Sequence, residues 1–321
     1  PLTPAYLLER GSVASPKEEV NPGALSVIRT VQYGLTEDRV KNEGARRVAL
    51  ADWIASPKNP LTARVIVNRV WYHHFGNGLV NTPSDFGFNG DRPSHPELLD
   101  YLATEFMENG WSLKWLHRQI LLSRTYRQSS AMKEKAYAVD AGNRLLWRMP
   151  LKRMDAETLR DTILAVTGKL DRSYGGESFR LHRISEKGYL LKALNNDGPE
   201  VWRRAVYRFV ARGSERTFMD SFDCPDPAVF TPQRSISNTP VQALTLLNNK
   251  FVLRQAGFLA ERLEQEAGAK PPDQVRHAYR LLFQRDPSPA EIDYALSFLQ
   301  SESLAMYCRV LLNSNEFVYV P

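Results

Sequence analysis

Three histidines, two aspartates and a glutamate fall within residues 71–97, WYHHFGNGLVNTPSDFGFNGDRPSHPE, among glycines and asparagines suited to tight turns. Side chains of these types could ligate a metal, pass protons as general acid and base, or fasten a folded loop to itself. Helical metal pairs want imidazoles at i and i+4, whereas His73 and His74 are adjacent and point roughly 100° apart on a helix. The Asp85-Phe-Gly87 run also puts a glycine where a calcium loop needs its second oxygen ligand. Neither pattern predicts a metal site.

A general-base version pairs His73 or His74 with Asp85 as orienting carboxylate and uses Arg69, one turn before His73, to hold an anionic substrate. His95 falls in the first turn of the next helix, where free amides disfavour an imidazolium, and reads as a neutral hydrogen-bonding group. The simpler reading of His73, His74, Asp85 and His95 is a polar network that satisfies buried groups. The catalytic reading of the same four stands as the alternative, with Asp91, Glu97, Asp155 and Glu157 as further candidate carboxylates.

KRMDAETLRD places Arg153, Asp155, Glu157, Arg160 and Asp161 around the first two turns of a helix. Capping and the helix dipole account for Asp155 and Glu157, and the set reads as an ion-pair network tying helices together. VWRRAVYRFVAR, residues 201–212, alternates with period two and predicts a strand, with Arg204, Arg208 and Arg212 on one face and Ala205, Tyr207 and Phe209 on the other. That arginine face, with Arg216 and Arg234 nearby in sequence, suits an anion contact or an edge strand defended by charge. Phosphate loops, the G-x-S-x-G elbow and the haem-attaching C-x-x-C-H do not occur.

The elements that must position these residues are mostly helical. NPLTARVIVNRVWYHHFGNG predicts a helix with Asn59 as N-cap, Pro60 at its first position and Gly76 as its stop. SHPELLDYLATEFMENG predicts a second, with Ser94 and Glu97 as a capping box and a close at Asn109-Gly110. SLKWLHRQILLSRTY predicts a third, with Leu113, Leu116, Ile120 and Leu121 on one face. Residues 128–148 read as a polar connection with a short helix. The helix from Asp155 to Gly168 buries Leu159, Ile163 and Val166, and capping boxes at Thr239/Gln242 and Ser288/Glu291 open later helices. A last helix near 303–313 turns Leu304, Cys308 and Leu311 inward. The expectation is a mainly α fold of roughly nine to eleven helices in one domain, with a small β element near 188–212. Within it, residues 1–127 form a lead-in and three-helix unit, and 128–321 a second helical unit.

Of the 321 residues, 43% are hydrophobic, enough for a sizeable core. Forty-two basic against 36 acidic side chains give +6, but the two signs are interleaved, which argues against a nucleic-acid binder. Cys224 and Cys308 lie in unrelated contexts that exclude a zinc knuckle and leave one disulfide open. No apolar run is long enough to span a membrane. PLTPAYLLERG lacks the pattern of a signal peptide, and the chain reads as one part of a longer precursor.

The run from LADWIASPKNPLTARVIVNRVWYHHFGNGL through NGWSLKWLHRQILLSRTYRQSS, then RMDAETLRDTILAVTGKLD, FDCPDPAVFTPQRSISNTPVQALTLLNNKFV and LLNSNEFVYV, resembles the planctomycete-specific C-terminal domain of unknown function. The resemblance spans essentially the whole chain. It implies a large exported protein, an extracytoplasmic or cell-surface setting, and a cytochrome-c-like module upstream that carries a covalent haem, with no cofactor in this chain. It supplies no activity. The expected function is therefore a non-catalytic module that docks the haem-bearing module, a partner protein or an anionic glycan. The alternative is a hydrolase of sulfated polysaccharide with its His/Asp centre in residues 69–97.

Overall fold

The computed structural model describes residues 4–34, 36, 42–184, 191–193, 198–210, 218–226 and 228–320. Among them lie twelve α-helices and three two-stranded sheets, so the fold is mainly α as the apolar periodicity predicts. Backbone contacts divide the chain into two compact units, Pro1–Pro150 and Leu151–Pro321.

The first unit opens with an antiparallel hairpin, β1 (Ala5–Leu8) and β2 (Pro16–Val20), followed by α1 (Glu43–Ala55), α2 (Thr62–Phe75), α3 (Pro96–Glu108), α4 (Leu113–Leu122) and the short α5 (Glu134–Val139). Its core is the shared face of α2, α3 and α4, where Val67, Trp71, Phe75, Leu102, Phe106 and Leu116 are buried. Burying one such side chain contributes about 1.5–3 kcal/mol. Gly76 stops α2 in the left-handed region (φ 78°), its amide donating to the Tyr72 carbonyl at 2.7 Å.

Three local expectations for this unit are corrected. Asn59 does not cap α2; its side chain bridges the α1–α2 turn instead, accepting from the Leu61 amide (3.0 Å) and donating to the Trp53 carbonyl (3.1 Å), and α2 starts at Thr62. Ser94 and Glu97 form no capping box, because the Ser94 hydroxyl turns to the Leu79 carbonyl and to His95. On α4 only Leu116 and Ile120 are buried, while Leu113 and Leu121 are exposed.

The second unit contains β3 (Lys152–Arg153), α6 (Ala156–Val166), β4 (His182–Ile184), β5 (Leu191–Ala193), α7 (Pro240–Asn248), α8 (Lys250–Ala267), α9 (Pro271–Phe283), α10 (Pro289–Ser301), α11 (Leu304–Leu312), α12 (Asn315–Val318) and β6 (Tyr319–Val320). Strand β3 pairs antiparallel with β6, and β4 with β5. Leu159 and Ile163 of α6, Val252, Leu259 and Leu263 of α8, and Cys308 and Leu312 of α11 lie within one core. Both later capping boxes form, Thr239 with Gln242 and Ser288 with Glu291.

The strand expected over 201–212 is absent among the described residues. Pro199–Val201 and Ala205–Tyr207 are single 3₁₀ turns, and only isolated bridges, Asp171 to Arg203 and Phe179 to Arg208, remain of a ladder. Helix α6 takes the backbone groups that a strand partner would use. Arg160 donates to the Val201 and Arg203 carbonyls, and Asp161 accepts from the Ala205 amide at 2.8 Å. Alternating residue types therefore arise here without a sheet.

Candidate functional site

The segment that follows α2 is built around a buried asparagine. Asn68, with no exposed surface, donates to the Val80 carbonyl and accepts from the Val80 amide, both at 2.8 Å, as a neighbouring strand would. This draws residues 77–80 against the helix so closely that a Cβ on Gly78 would sit 2.8 Å from Asn68 Oδ1. Ser94 then donates its amide to the Leu79 carbonyl (2.8 Å), and the Asp91 amide donates to the Thr82 hydroxyl (2.9 Å). The loop is thereby folded back, with Asp91 and Arg92 exposed on its rim.

A second turn faces the first. The Asp140 carboxylate accepts from the amides of Arg144 (3.0 Å) and Leu145 (2.8 Å), and the Asn143 side chain clasps the backbone of Arg148 on both its N–H and its carbonyl. Asn143 and Leu146 are held at φ 53° and 54°, a region a leucine seldom enters, and such strain persists only where surrounding bonds enforce it.

Between the two turns lies a cleft of about 220 Å³. Its floor is Trp71, Leu79 and Leu146; its polar wall includes Asn77, Asn81, Asp91, Arg92, Asn143 and Arg144. Arg144 reaches across to the Arg92 carbonyl at 3.5 Å. The volume is below the roughly 300–1,000 Å³ of sites for drug-sized ligands, so it suits a single small polar unit. An apolar floor bordered by asparagine and arginine residues can hold hydroxyls and an anion by hydrogen bonds.

None of His73, His74, Asp85 and His95 lines this cleft. His73 is exposed, its ring edge-on to Tyr72; His74 Nε2 lies 2.8 Å from Nδ1 of His117 on α4; Asp85 accepts from the Gly87 amide at 2.8 Å; and His95 Nδ1 lies 2.9 Å from the Ser94 hydroxyl. Arg69 is exposed on α2, and Glu97 is exposed at the start of α3. Among the described residues, no three His, Cys, Asp or Glu side chains are grouped so as to hold a metal ion.

The charged set at the start of α6 lies in the second unit. Asp155 caps the helix by accepting from the Thr158 amide at 2.8 Å. Glu157 takes a two-pronged contact from Arg234 (2.5 and 3.1 Å), which raises the Arg234 pKa. Arg153 is buried. It donates to Asp223 (2.6 Å), to Gln242 (2.8 Å) and to the Ser237 carbonyl, while Ser237 returns its amide and hydroxyl to Asp223. Burial pushes the Asp223 carboxyl up, but the Ser237 and Arg153 hydrogen bonds outweigh it and hold the group below its ordinary value. Arg160 stacks on Phe179 with its guanidinium carbon 5.0 Å from the ring centre, and burial brings its pKa down to about 10 against the pull of Asp161. Burial in turn raises the Asp161 carboxyl. Arg204 lies 3.9 Å from Asp161, and Arg208 donates to Cys224 Sγ at 3.3 Å; Arg212 lies outside the described residues. Cys224 and Cys308 are both free thiols.

Sequence reasoning passed over Arg92, Asp140, Asn143 and Arg144. The readable signal was DAGN at 140–143, whose Asp and Asn favour side-chain-to-backbone turns. No helix of the described residues is long and apolar enough to cross a membrane. No curated protein and no solved structure matches the chain. A family model does, over residues 46–299, and the chain belongs to that family, PSD1, a protein of unknown function (DUF1553).

Proposed function

We propose that the chain is a non-catalytic binding module of an extracytoplasmic, planctomycete-type multidomain protein, and that its ligand is an anionic glycan seated in the cleft of the first unit. The observation that supports this is the lining: two arginines and three asparagines over an apolar floor, with Asp91 as its one carboxylate among the described residues. Glycoside hydrolysis commonly needs a pair of carboxylates, about 5–5.5 Å apart for retention or 6.5–9.5 Å for inversion. A single acid beside two guanidinium groups can bind but lacks the second partner for that chemistry. Haem c, in this reading, sits on a cytochrome-c-like module elsewhere in the parent protein and requires no ligand from this chain.

The test is a glycan array followed by calorimetric titration with acidic oligosaccharides, with reducing-end release assayed in parallel. The expected result is retention of acidic glycans without turnover, lost in Arg144→Ala. Turnover that disappears in His73→Ala would establish the hydrolase reading instead, and failure to retain any glycan would remove the proposal.

A further inference from the structure

The rim of the cleft carries two guanidinium charges, Arg92 and Arg144, against one carboxylate, Asp91, a net charge of +1 within a space sized for one small unit. From this balance, and resting on the glycan-binding reading above, we infer that the cleft selects a sugar residue bearing a single negative charge, a uronate or a sulfate ester, over neutral sugars and over phosphomonoesters. A monoanion neutralises the rim. A neutral sugar offers the guanidinium groups no anion to pair with in a bidentate contact. A phosphomonoester, which carries about −1.5 to −2 at pH 7, brings excess charge against Asp91.

Arg144 is the residue that makes the selection, and Asp140 is its positioning residue. Arg144 is presented from a turn whose neighbours Asn143 and Leu146 are both held in the left-handed region, and its own amide is fixed by the Asp140 carboxylate. Strain of this kind stabilises nothing locally; it is explained if the turn must carry one guanidinium to one place. Asp140 reaches the ligand only through that turn.

The experiment is calorimetric titration of the full chain at pH 7 with four probes: methyl glucuronide, glucose 6-sulfate, glucose 6-phosphate and methyl glucoside. The two monoanions should bind roughly tenfold or more tightly than the neutral glucoside, as loss of an ion-paired hydrogen bond implies, and more tightly than the phosphate, whose second charge meets Asp91; the better monoanion identifies the source of the charge. Arg144→Gln, an exposed substitution, should reduce monoanion affinity by a larger factor than it reduces glucoside affinity, narrowing the ratio between them. Asp140→Asn should lower the ratio of glucuronide to glucoside affinity, a readout that loss of stability alone would not move. Asp91→Asn should bring glucose 6-phosphate up toward the monoanions. Glucoside binding as tight as glucuronide, or wild-type preference for the phosphate, overturns the charge selection and leaves glycan binding standing. Failure of all four to bind, with other glycans also rejected, overturns both.

Discussion

The side-chain amide of Asn68 replaces a strand partner for Val80, meeting its N–H and its carbonyl at 2.8 Å each inside the first unit. Asn68→Ala would leave both buried backbone groups unmet and should destabilise this unit by about 2–4 kcal/mol, read from urea unfolding. Asn68→Asp keeps the acceptor and loses the donor, so it should also destabilise. An unchanged unfolding midpoint in Asn68→Ala would show that water takes over both groups and that the loop is not held by this residue.

Arg285 bridges Glu291, the capping-box acid of α10, and Glu316 of α12 with paired contacts of 2.6–2.9 Å. Hydrogen bonds from Arg285, then from the Ser288 amide, bring the Glu291 carboxyl from 4.5 down to about 2. Because the folded value is the lower one, the stabilisation is fully present above pH 4.5 and is lost as the pH falls toward 2. Glu291→Gln should therefore lower stability at pH 6 and flatten its fall across that window. Equal acid limbs for wild type and variant would discount the bridge.

Arg153 lies with its side chain 4% exposed, its charge balanced by Asp223. Removing one partner strands the other, so Arg153→Met and Asp223→Asn should each cost about 3–5 kcal/mol of second-unit stability. The double variant should recover part of that loss, and a double-mutant cycle measures the coupling. Additive losses would show that the two residues act separately.

Burial pushes the Cys308 thiol up to about 12 and closes it to solvent, whereas Cys224 is half-buried. Burial, then the neighbouring Glu157, also raises the Cys224 pKa. A thiol reagent at pH 8 should label Cys224 slowly in the folded chain and reach Cys308 only on unfolding. Mass spectrometry that finds Cys308 labelled first would contradict this packing.

The helices were legible because their signals are local. Ser112, Asp155, Ser288 and Ser303 cap where the next apolar residues begin, and Leu159 and Ile163 repeat at helical spacing. The cleft was not legible, because its walls come from residues 71–94 and 142–146 and meet only after folding. Ser94 shows the same limit on a smaller scale. Its sequence neighbours suit a capping box, but the Leu79 carbonyl, fifteen residues away, claims its hydroxyl. The 201–210 segment failed for a third reason, since period two records which side chains alternate and says nothing of whether their backbone is still available once Arg160 and Asp161 have bound it.

The Arg153 cluster has a bearing on how the second unit is assembled. Its partners lie 70, 84 and 89 residues further along, at Asp223, Ser237 and Gln242. A fragment cut between α6 and α7 would hold a cation in its interior with one or more of these partners missing, and with all of them missing if the cut precedes Phe222. The unit should therefore form all at once or not at all, and partial digestion should yield no stable piece that ends before α7.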